Sequence, residues 1–191
     1  MSGHFDSAVC AKATLDDLDF ERIRWFITGA RRRRGPDIPK DATPQELLER
    51  LHLLSQGRLT NAAVILFGRD PHRLLALPPI KCLHFQGPTG ATLLNQQSVC
   101  KGTIFGWIFE ASFFALKGLS RADPSRWDLP SYDIPKEAVH EAVLNALVHQ
   151  DYSSAIGMQV AIHSDRLEIS NPGALPPSLT LDQLRQPHSS V

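Results

Sequence analysis

The most strongly apolar helical pattern in the chain lies between residues 136 and 148, where alanine and branched aliphatic residues fill most positions. Three polar residues, Glu141, Asn145 and His149, follow one another at intervals of four residues. Side chains at that interval lie above one another on a helix, so the pattern predicts a single polar stripe. A helix that is apolar on nearly all other sides is expected to be buried, and polar groups at such a depth need partners. A bound ligand is one way to supply those partners.

Signals on both sides of this helix predict its start and the elements after it. Pro135 suits the first helical turn, where its missing amide proton is not needed, and Asp133 is a candidate N-cap. Asp151 and Tyr152 are expected to close the helix. The next predicted elements are two strands of a hairpin, over residues 158–163 and 167–170, and an Asn-Pro-Gly turn over residues 171–173.

Helical spacing and turn signals also divide the rest of the chain. Thr43 and Glu46 form a capping-box sequence, which predicts the start of a helix that runs to about Leu54. Residues 60–67 fit either a short helix capped by Thr60 or a buried strand, and periodicity alone does not decide between them. The remaining predicted elements are a helix over 16–33 capped by Thr14 or Asp16, a strand over 80–85, a polar loop or hairpin arm over 86–95, an apolar helix over 98–119, a linker over 121–132 and a short helix over 181–185 capped by Thr180.

Together these elements predict an α+β fold. A small helical lobe is expected over residues 1–75, and part of an α/β sandwich is expected over residues 76–191. In that sandwich, a mixed sheet is flanked on one face by the helices that start near Ser98 and Lys136.

Composition restricts the classes of protein to which the chain can belong. The 191 residues are 42% hydrophobic and 21% charged, which is ordinary for a soluble globular protein. Twenty basic and 20 acidic residues balance, so no overall charge attracts nucleic acid or a membrane. Cys10, Cys82 and Cys100 are too few and too far apart for a disulfide framework or a Cys-x-x-Cys metal site. We therefore expect a cytoplasmic protein without a signal peptide or membrane contact.

The motifs around the central helix resemble a known family. The spacing Glu141-x-x-x-Asn145-x-x-x-His149 resembles the N-box of the GHKL ATPases, which include gyrase, Hsp90, histidine kinases and MutL. The longer run from Glu141, with Asp-Arg-Leu-Glu-Ile-Ser-Asn-Pro-Gly after it, is similar to the C-terminal GHKL-type module of proteins described as RecG-like ATP-dependent DNA helicases or transcriptional regulators. Residues 59–68 resemble the segment that follows a Schlafen AlbA-like domain in such proteins, and the likeness extends from about Asp16 onward.

This resemblance implies a site for ATP and Mg²⁺. Glu141 would be the catalytic residue that orients or deprotonates the attacking water, and Asn145 would ligate Mg²⁺ through its amide oxygen. His149 would either bind a phosphate or cap the polar stripe. Asn171 stands where the family carries the aspartate of Asp-x-Gly that receives the adenine amino group, and an amide is a weaker acceptor than a carboxylate. Gly173 would allow the backbone to approach adenine, or would only make a turn.

The resemblance also implies that part of the family's domain is missing. In such proteins a glycine-rich lid folds over the triphosphate, and this chain ends before one, so we expect a fragment truncated before the ATP lid. Any ATPase activity is then expected in the longer protein rather than in this fragment. The sequence contains neither a Walker A motif nor helicase motor motifs, so the helicase activity in the family's description has no support from these residues.

Alternative interpretations use other residues. The cluster Arg31, Arg32, Arg33 and Arg34 is either a solvated helix end or a contact for DNA. The alternative function is accordingly a non-catalytic DNA-binding or interaction module that has kept the GHKL fold. A metal hydrolase is a third interpretation, disfavoured because the chain lacks two histidines one helical turn apart. The expected partner is a nucleotide, DNA is a candidate partner, and a homo-oligomer is a candidate assembly.

Overall fold

Six α-helices and eight β-strands follow two short 3-10 turns in this computed structural model, which describes residues 5–32, 39, 42–99, 102–121, 131–132 and 134–174. The 3-10 turns are Phe5–Ser7 and Leu15–Asp17. The helices are α1 (Phe20–Arg32), α2 (Pro44–Arg50), α3 (Asn61–Phe67), α4 (Pro71–Leu74), α5 (Ile104–Leu119) and α6 (Lys136–Val148). The strands are β1 (Leu54–Ser55), β2 (Arg58–Leu59), β3 (Ile80–Gln86), β4 (Thr92–Val99), β5 (Ser120–Arg121), β6 (Ser131–Tyr132), β7 (Gln159–Ile162) and β8 (Leu167–Ser170).

The main sheet has four strands in the order β4, β3, β7, β8. β3 pairs antiparallel with β4 and parallel with β7, and β7 pairs antiparallel with β8, so the sheet is mixed. α5 and α6 lie in the connection between β4 and β7, and they pack against each other and contact the sheet. The predicted α+β fold with a mixed sheet is confirmed. Its assignment to the GHKL type and its predicted division at residue 76 stay predictions.

Two groups of buried apolar residues meet at α3. The larger group fills the space between the sheet, α5 and α6, and α3 contributes Val64 and Ile65 to it. The smaller group lies among α1, α2 and α3, to which Ala63 and Phe67 belong. Since α3 is buried by both groups, the N-terminal helices pack directly on the element that also supports the sheet region.

Local capping residues explain where the N-terminal helices begin. The Thr43 hydroxyl accepts a hydrogen bond from the Glu46 amide, and Glu46 accepts one from the Thr43 amide, so the predicted capping box is confirmed. Thr60 accepts from the Ala63 amide at 3.3 Å, and residues 61–67 form a helix. This cap resolves the choice between helix and strand that periodicity left open.

The structure corrects the predicted start of α1. Thr14 lies at the start of the 3-10 turn before it, where its amide and its hydroxyl donate to the Asp17 carboxylate at 2.9 Å and 3.1 Å. The helix itself begins later, at Phe20, and the Asp19 carboxylate accepts a hydrogen bond from the Arg22 amide. The predicted single helix from residue 16 is therefore wrong, because two successive acidic caps divide the segment into a turn and a helix.

The structure also corrects the region before α5. Residues 92–99 form strand β4 along β3, which agrees with the hairpin-arm alternative for residues 92–95. The predicted helix start at Ser98 is wrong, because α5 begins at Ile104, after Gly102 with a φ of 77°. A strand with polar residues on both faces carries no alternating pattern, so periodicity did not show that the strand continues to residue 99. The predicted helix over 181–185 and Asp133 lie outside the described residues.

Candidate functional site

The surface of α6 is divided into a buried side and an exposed side. Val139, Val143, Ala146 and Leu147 are buried against the rest of the fold. The opposite side carries Ala138, Glu141, Ala142, Asn145, Val148 and His149, all of them exposed. The prediction that this helix is buried on nearly all sides is therefore wrong. It failed because alanine counts as apolar in the pattern but buries too little area to require cover.

Glu141, Asn145 and His149 nevertheless form the single stripe that their spacing predicted, and it faces solvent. Ala138 and Ala142 lie between and beside them on the same side of the helix. We call these five residues the α6 stripe. Ala138 and Ala142 are exposed, whereas the sequence prediction treated them as part of a buried surface. Their spacing of four residues, equal to that of Glu141 and Asn145, is the signal that places them on the same side of the helix.

Glu141 and Asn145 are joined by a side-chain hydrogen bond. The Asn145 Nδ2 atom donates to Glu141 Oε1 at 3.2 Å. A carboxylate only accepts hydrogen bonds, so the amide nitrogen has to face Glu141 and the amide oxygen Oδ1 is turned elsewhere. Hard oxygen atoms such as this one are the ligands that Mg²⁺ prefers, and an ion that also binds phosphates and waters needs few protein ligands. Asn145 Oδ1 is therefore an atom of the type that Mg²⁺ prefers, and the described residues add no cluster of three or more metal-binding side chains to it.

The end of α6 is in contact with the Asn-Pro-Gly turn that comes after β8. Asn171 Nδ2 donates to the His149 carbonyl oxygen at 3.3 Å and to the Pro172 carbonyl oxygen at 3.3 Å. The Asp151 amide donates to that Pro172 oxygen at 2.7 Å. At Gly173, a Cβ atom would lie 2.5 Å from the His149 carbonyl oxygen. Only glycine allows this approach, so the turn is held against the helix end.

These contacts also fix the orientation of the Asn171 side chain. Both hydrogen bonds use the amide nitrogen, so the Oδ1 atom is the part of the side chain that remains as an acceptor. The amide is thus held in an orientation in which Oδ1 can accept a hydrogen bond. The structure thus brings His149, Asn171 and Gly173 together, and Asn145 lies one helical turn before His149.

The loop after α6 is held by two buried residues, Tyr152, which was predicted to close the helix, and Gln150, whose role the sequence did not reveal. Tyr152 is buried, its hydroxyl donates to the Leu147 carbonyl oxygen at 2.9 Å, and its ring stacks on Phe5. Burial raises the pKa of this phenol. Gln150 is also buried, and its side-chain oxygen accepts from the Met158 amide at 2.9 Å. These residues fix the path of the chain from the helix to β7.

Asp151 lies at the surface of the same loop. Its carboxylate accepts hydrogen bonds from the Ser153 hydroxyl at 2.5 Å and from the Ser153 amide at 2.9 Å. These two bonds hold the pKa of the Asp151 carboxyl below its usual range. Asp151 therefore stabilises the turn after the helix, in agreement with the predicted closing role.

The candidate nucleic-acid residues lie elsewhere. Arg31 and Arg32 are the last two residues of α1, a helix of the smaller apolar group, and so are not part of the α6 stripe. Arg33 and Arg34 lie outside the described residues. Their contact with DNA stays a prediction.

The described residues form neither a metal-binding cluster nor a helix that could cross a membrane. Among them, no cluster of three or more histidine, cysteine, aspartate or glutamate side chains could hold a metal ion. The metal-hydrolase interpretation with Glu141, His149 and Asp151 therefore gains no support. In the same part of the chain, no helix has both the length and the apolar character needed to cross a bilayer.

An open groove lies between α1 and α5, with a volume of about 520 Å³. Aromatic side chains of Trp25, Phe105 and Phe109 line it together with the charged residues Asp19, Glu21 and Arg22. None of the predicted site residues borders this groove. The residues of the α6 stripe are exposed, whereas the sequence had predicted a buried helix.

Comparison with known proteins supports a RecG-like relationship for the C-terminal segment. Residues 157–191 match a family described as "Putative ATP-dependent DNA helicase recG C-terminal". This segment includes β7, β8, Asn171 and Gly173, while α6 precedes it. No curated protein matches the chain.

A solved structure shows that the fold itself occurs in another protein. The crystal structure of the DIP2311 protein from Corynebacterium diphtheriae is similar, with a TM-score of 0.62 and 24% sequence identity. The similarity covers 93% of this chain and 35% of that chain, so the present chain spans about a third of the length of that protein. At this identity the likeness establishes the fold and carries no function.

Proposed function

We propose that this chain is the nucleotide-binding part of a RecG-like, DNA-associated protein, with ATP and Mg²⁺ as its ligands. One observation carries the proposal. The Asn-Pro-Gly turn after β8 is bonded to the C-terminal end of α6, so two motifs far apart in sequence share one surface. The match of residues 157–191 to the RecG-like C-terminal family supports the same conclusion from an independent direction.

In this proposal each polar residue has a separate task. Asn145 contributes its amide oxygen to Mg²⁺, which neutralises phosphate charge, and Glu141 holds the amide in the required orientation through the 3.2 Å hydrogen bond. Glu141 is also the residue placed to orient a water. Asn171 accepts from the adenine amino group through Oδ1. Guanine presents a carbonyl oxygen at the corresponding position, so the fixed amide favours adenine.

Exposure of the stripe supports binding without hydrolysis as the second candidate function. Phosphoryl transfer requires that the reacting groups be screened from bulk water. Glu141 and Asn145 are exposed in the described part of the chain. We therefore propose that the chain binds Mg-ATP, and that any turnover depends on additional cover over Glu141.

Isothermal titration with Mg-ATP tests the proposal. Ala142→Phe places a large ring on the α6 stripe and should abolish binding, while the melting temperature stays unchanged because Ala142 is exposed. Ala155→Phe is the matched control, since Ala155 is exposed in the loop beyond the helix. Asn145→Ala should remove the dependence of binding on Mg²⁺. Equal affinity of wild type and Ala142→Phe, or no binding by the wild type, would refute the proposed site.

A further inference from the structure

Strand β4 forms an open edge of the main sheet. It is the terminal strand, and among the described strands β3 is its one neighbour. Residues 92–97 are all exposed, so both faces of this part of the strand are uncovered. Two large apolar side chains are included, with Leu93 45% and Leu94 56% exposed.

Apart from the register shift at Leu94, this edge lacks the charges and prolines with which proteins usually prevent strand pairing. The sequence Thr-Leu-Leu-Asn-Gln-Gln-Ser-Val contains no charged residue and no proline. The pairing with β3 is irregular at Leu94, where the register shifts, and regular from Asn95 to Val99. At the other side of the sheet, β8 has only four residues and carries Glu168, which is bonded to Arg166. The two sides of the sheet therefore differ in their capacity to accept a strand.

We propose that β4 is a dimerisation edge, which pairs antiparallel with β4 of a second copy across a two-fold axis. Two four-stranded sheets would then form one continuous sheet. A two-fold axis places the same surface on both partners, so the edge must be complementary to itself. β4 meets this condition because an uncharged strand facing its own copy suffers no like-charge repulsion. The side-chain amides of Asn95, Gln96 and Gln97 can both donate and accept across the pair.

The proposal does not depend on nucleotide binding. The α6 stripe and β4 belong to different elements, and their tests are independent.

Light scattering during size-exclusion chromatography tests this proposal, with the chain loaded from low to high micromolar concentration. The wild type should reach twice its monomer mass of 21.2 kDa. The double variant Asn95→Lys/Gln97→Lys places two positive charges on one face of the edge, so dimerisation should weaken roughly tenfold or more. Thr89→Lys/Ala91→Lys adds the same charge at exposed positions just before the strand and should leave the dimer intact.

A charge-reversed partner separates a specific edge contact from a folding defect. Asn95→Glu/Gln97→Glu should also be monomeric, and mixing it with the lysine variant should restore a dimer that contains one copy of each. Hydrogen exchange adds a direct observation, because those amides of residues 95–99 that point away from β3 should be protected only at high concentration, whereas the amides bonded to β3 should be protected throughout. A wild type that is monomeric throughout the concentration range, or a mixture that does not associate, would overturn the proposal.

Discussion

α5 and α6 lie side by side and are both rich in apolar residues, but they present different side chains to solvent. α5 exposes Phe109 and Phe113, whose rings stack with centroids 6.2 Å apart. The exposed apolar residues of α6 are mainly alanines, and polar side chains stand between them. Apolar content predicts that a segment is helical, but the size of its apolar residues determines which side has to be covered. The exposed side of α6 therefore carries small apolar residues, whereas the exposed side of α5 carries large aromatic ones.

The largest expected effect distinguishes the two sides of α6. Leu147 is fully buried, so Leu147→Ala should lower the free energy of unfolding by about 3 kcal/mol. Val148 is 57% exposed, and Val148→Ala should change the free energy of unfolding by less than about 0.5 kcal/mol. Urea denaturation followed by circular dichroism measures both values. Similar losses in the two variants would mean that the exposed side of α6 is covered in solution.

Replacing one glycine at the end of α6 and one at the start of α5 with alanine should change the stability in opposite directions. Gly173→Ala forces a Cβ against the His149 carbonyl oxygen, so stability should fall by about 1–2 kcal/mol. Mg-ATP affinity should fall with it, because the turn that carries Asn171 has to move. Gly106→Ala in α5 meets no atom within 4 Å and should instead stabilise the protein by roughly 0.5 kcal/mol. Thermal melting compares the variants, and a stabilising Gly173→Ala would contradict the close contact.

The smallest expected effect concerns pH. The pKa of Asp151 is lowered by its hydrogen bonds from Ser153, so the carboxylate contributes stability above its unfolded value of 3.8. That contribution is lost as the pH falls through the lower pKa of the folded state. Ser153→Ala removes the hydroxyl bond and keeps the amide bond, so it should return the pKa part of the way towards 3.8 and reduce this dependence. NMR titration of the Asp151 carboxyl carbon measures the pKa, and an equal value in both proteins would exclude the proposed cause.

Elements determined by adjacent residues could be predicted from the sequence. The capping box of Thr43 and Glu46 needs only neighbouring residues, and the hairpin of β7 and β8 results from alternation and a polar turn. The stripe of Glu141, Asn145 and His149 was also predictable, since helical geometry fixes it. The exposure of that stripe to solvent could not be predicted, because it depends on where the sheet and α5 pack against the helix.

Features that depend on distant contacts could not be predicted. Burial of Tyr152 requires Phe5, which comes from the opposite end of the chain. Strand β4 was predicted only as one of two alternatives, and only to residue 95, because its polar residues give no periodic signal and pairing with β3 determines its conformation. Similarly, the hydrogen bond from Asn171 to the His149 carbonyl oxygen could not be predicted, because it depends on the pairing of β8 with β7.

The parallel pairing of β3 with β7 determines the order in which the molecule can assemble. β3 and β4 form a hairpin from adjacent residues, but β3 meets β7 only after α5, α6 and the segments around them have been synthesised. Closing so long a loop is entropically unfavourable until the distant strand contributes its contacts. The β3–β4 hairpin can therefore form before β7 has been synthesised, and the edge of β3 that pairs with β7 is then unpaired. We expect the joining of this hairpin to the β7–β8 hairpin to limit the folding rate.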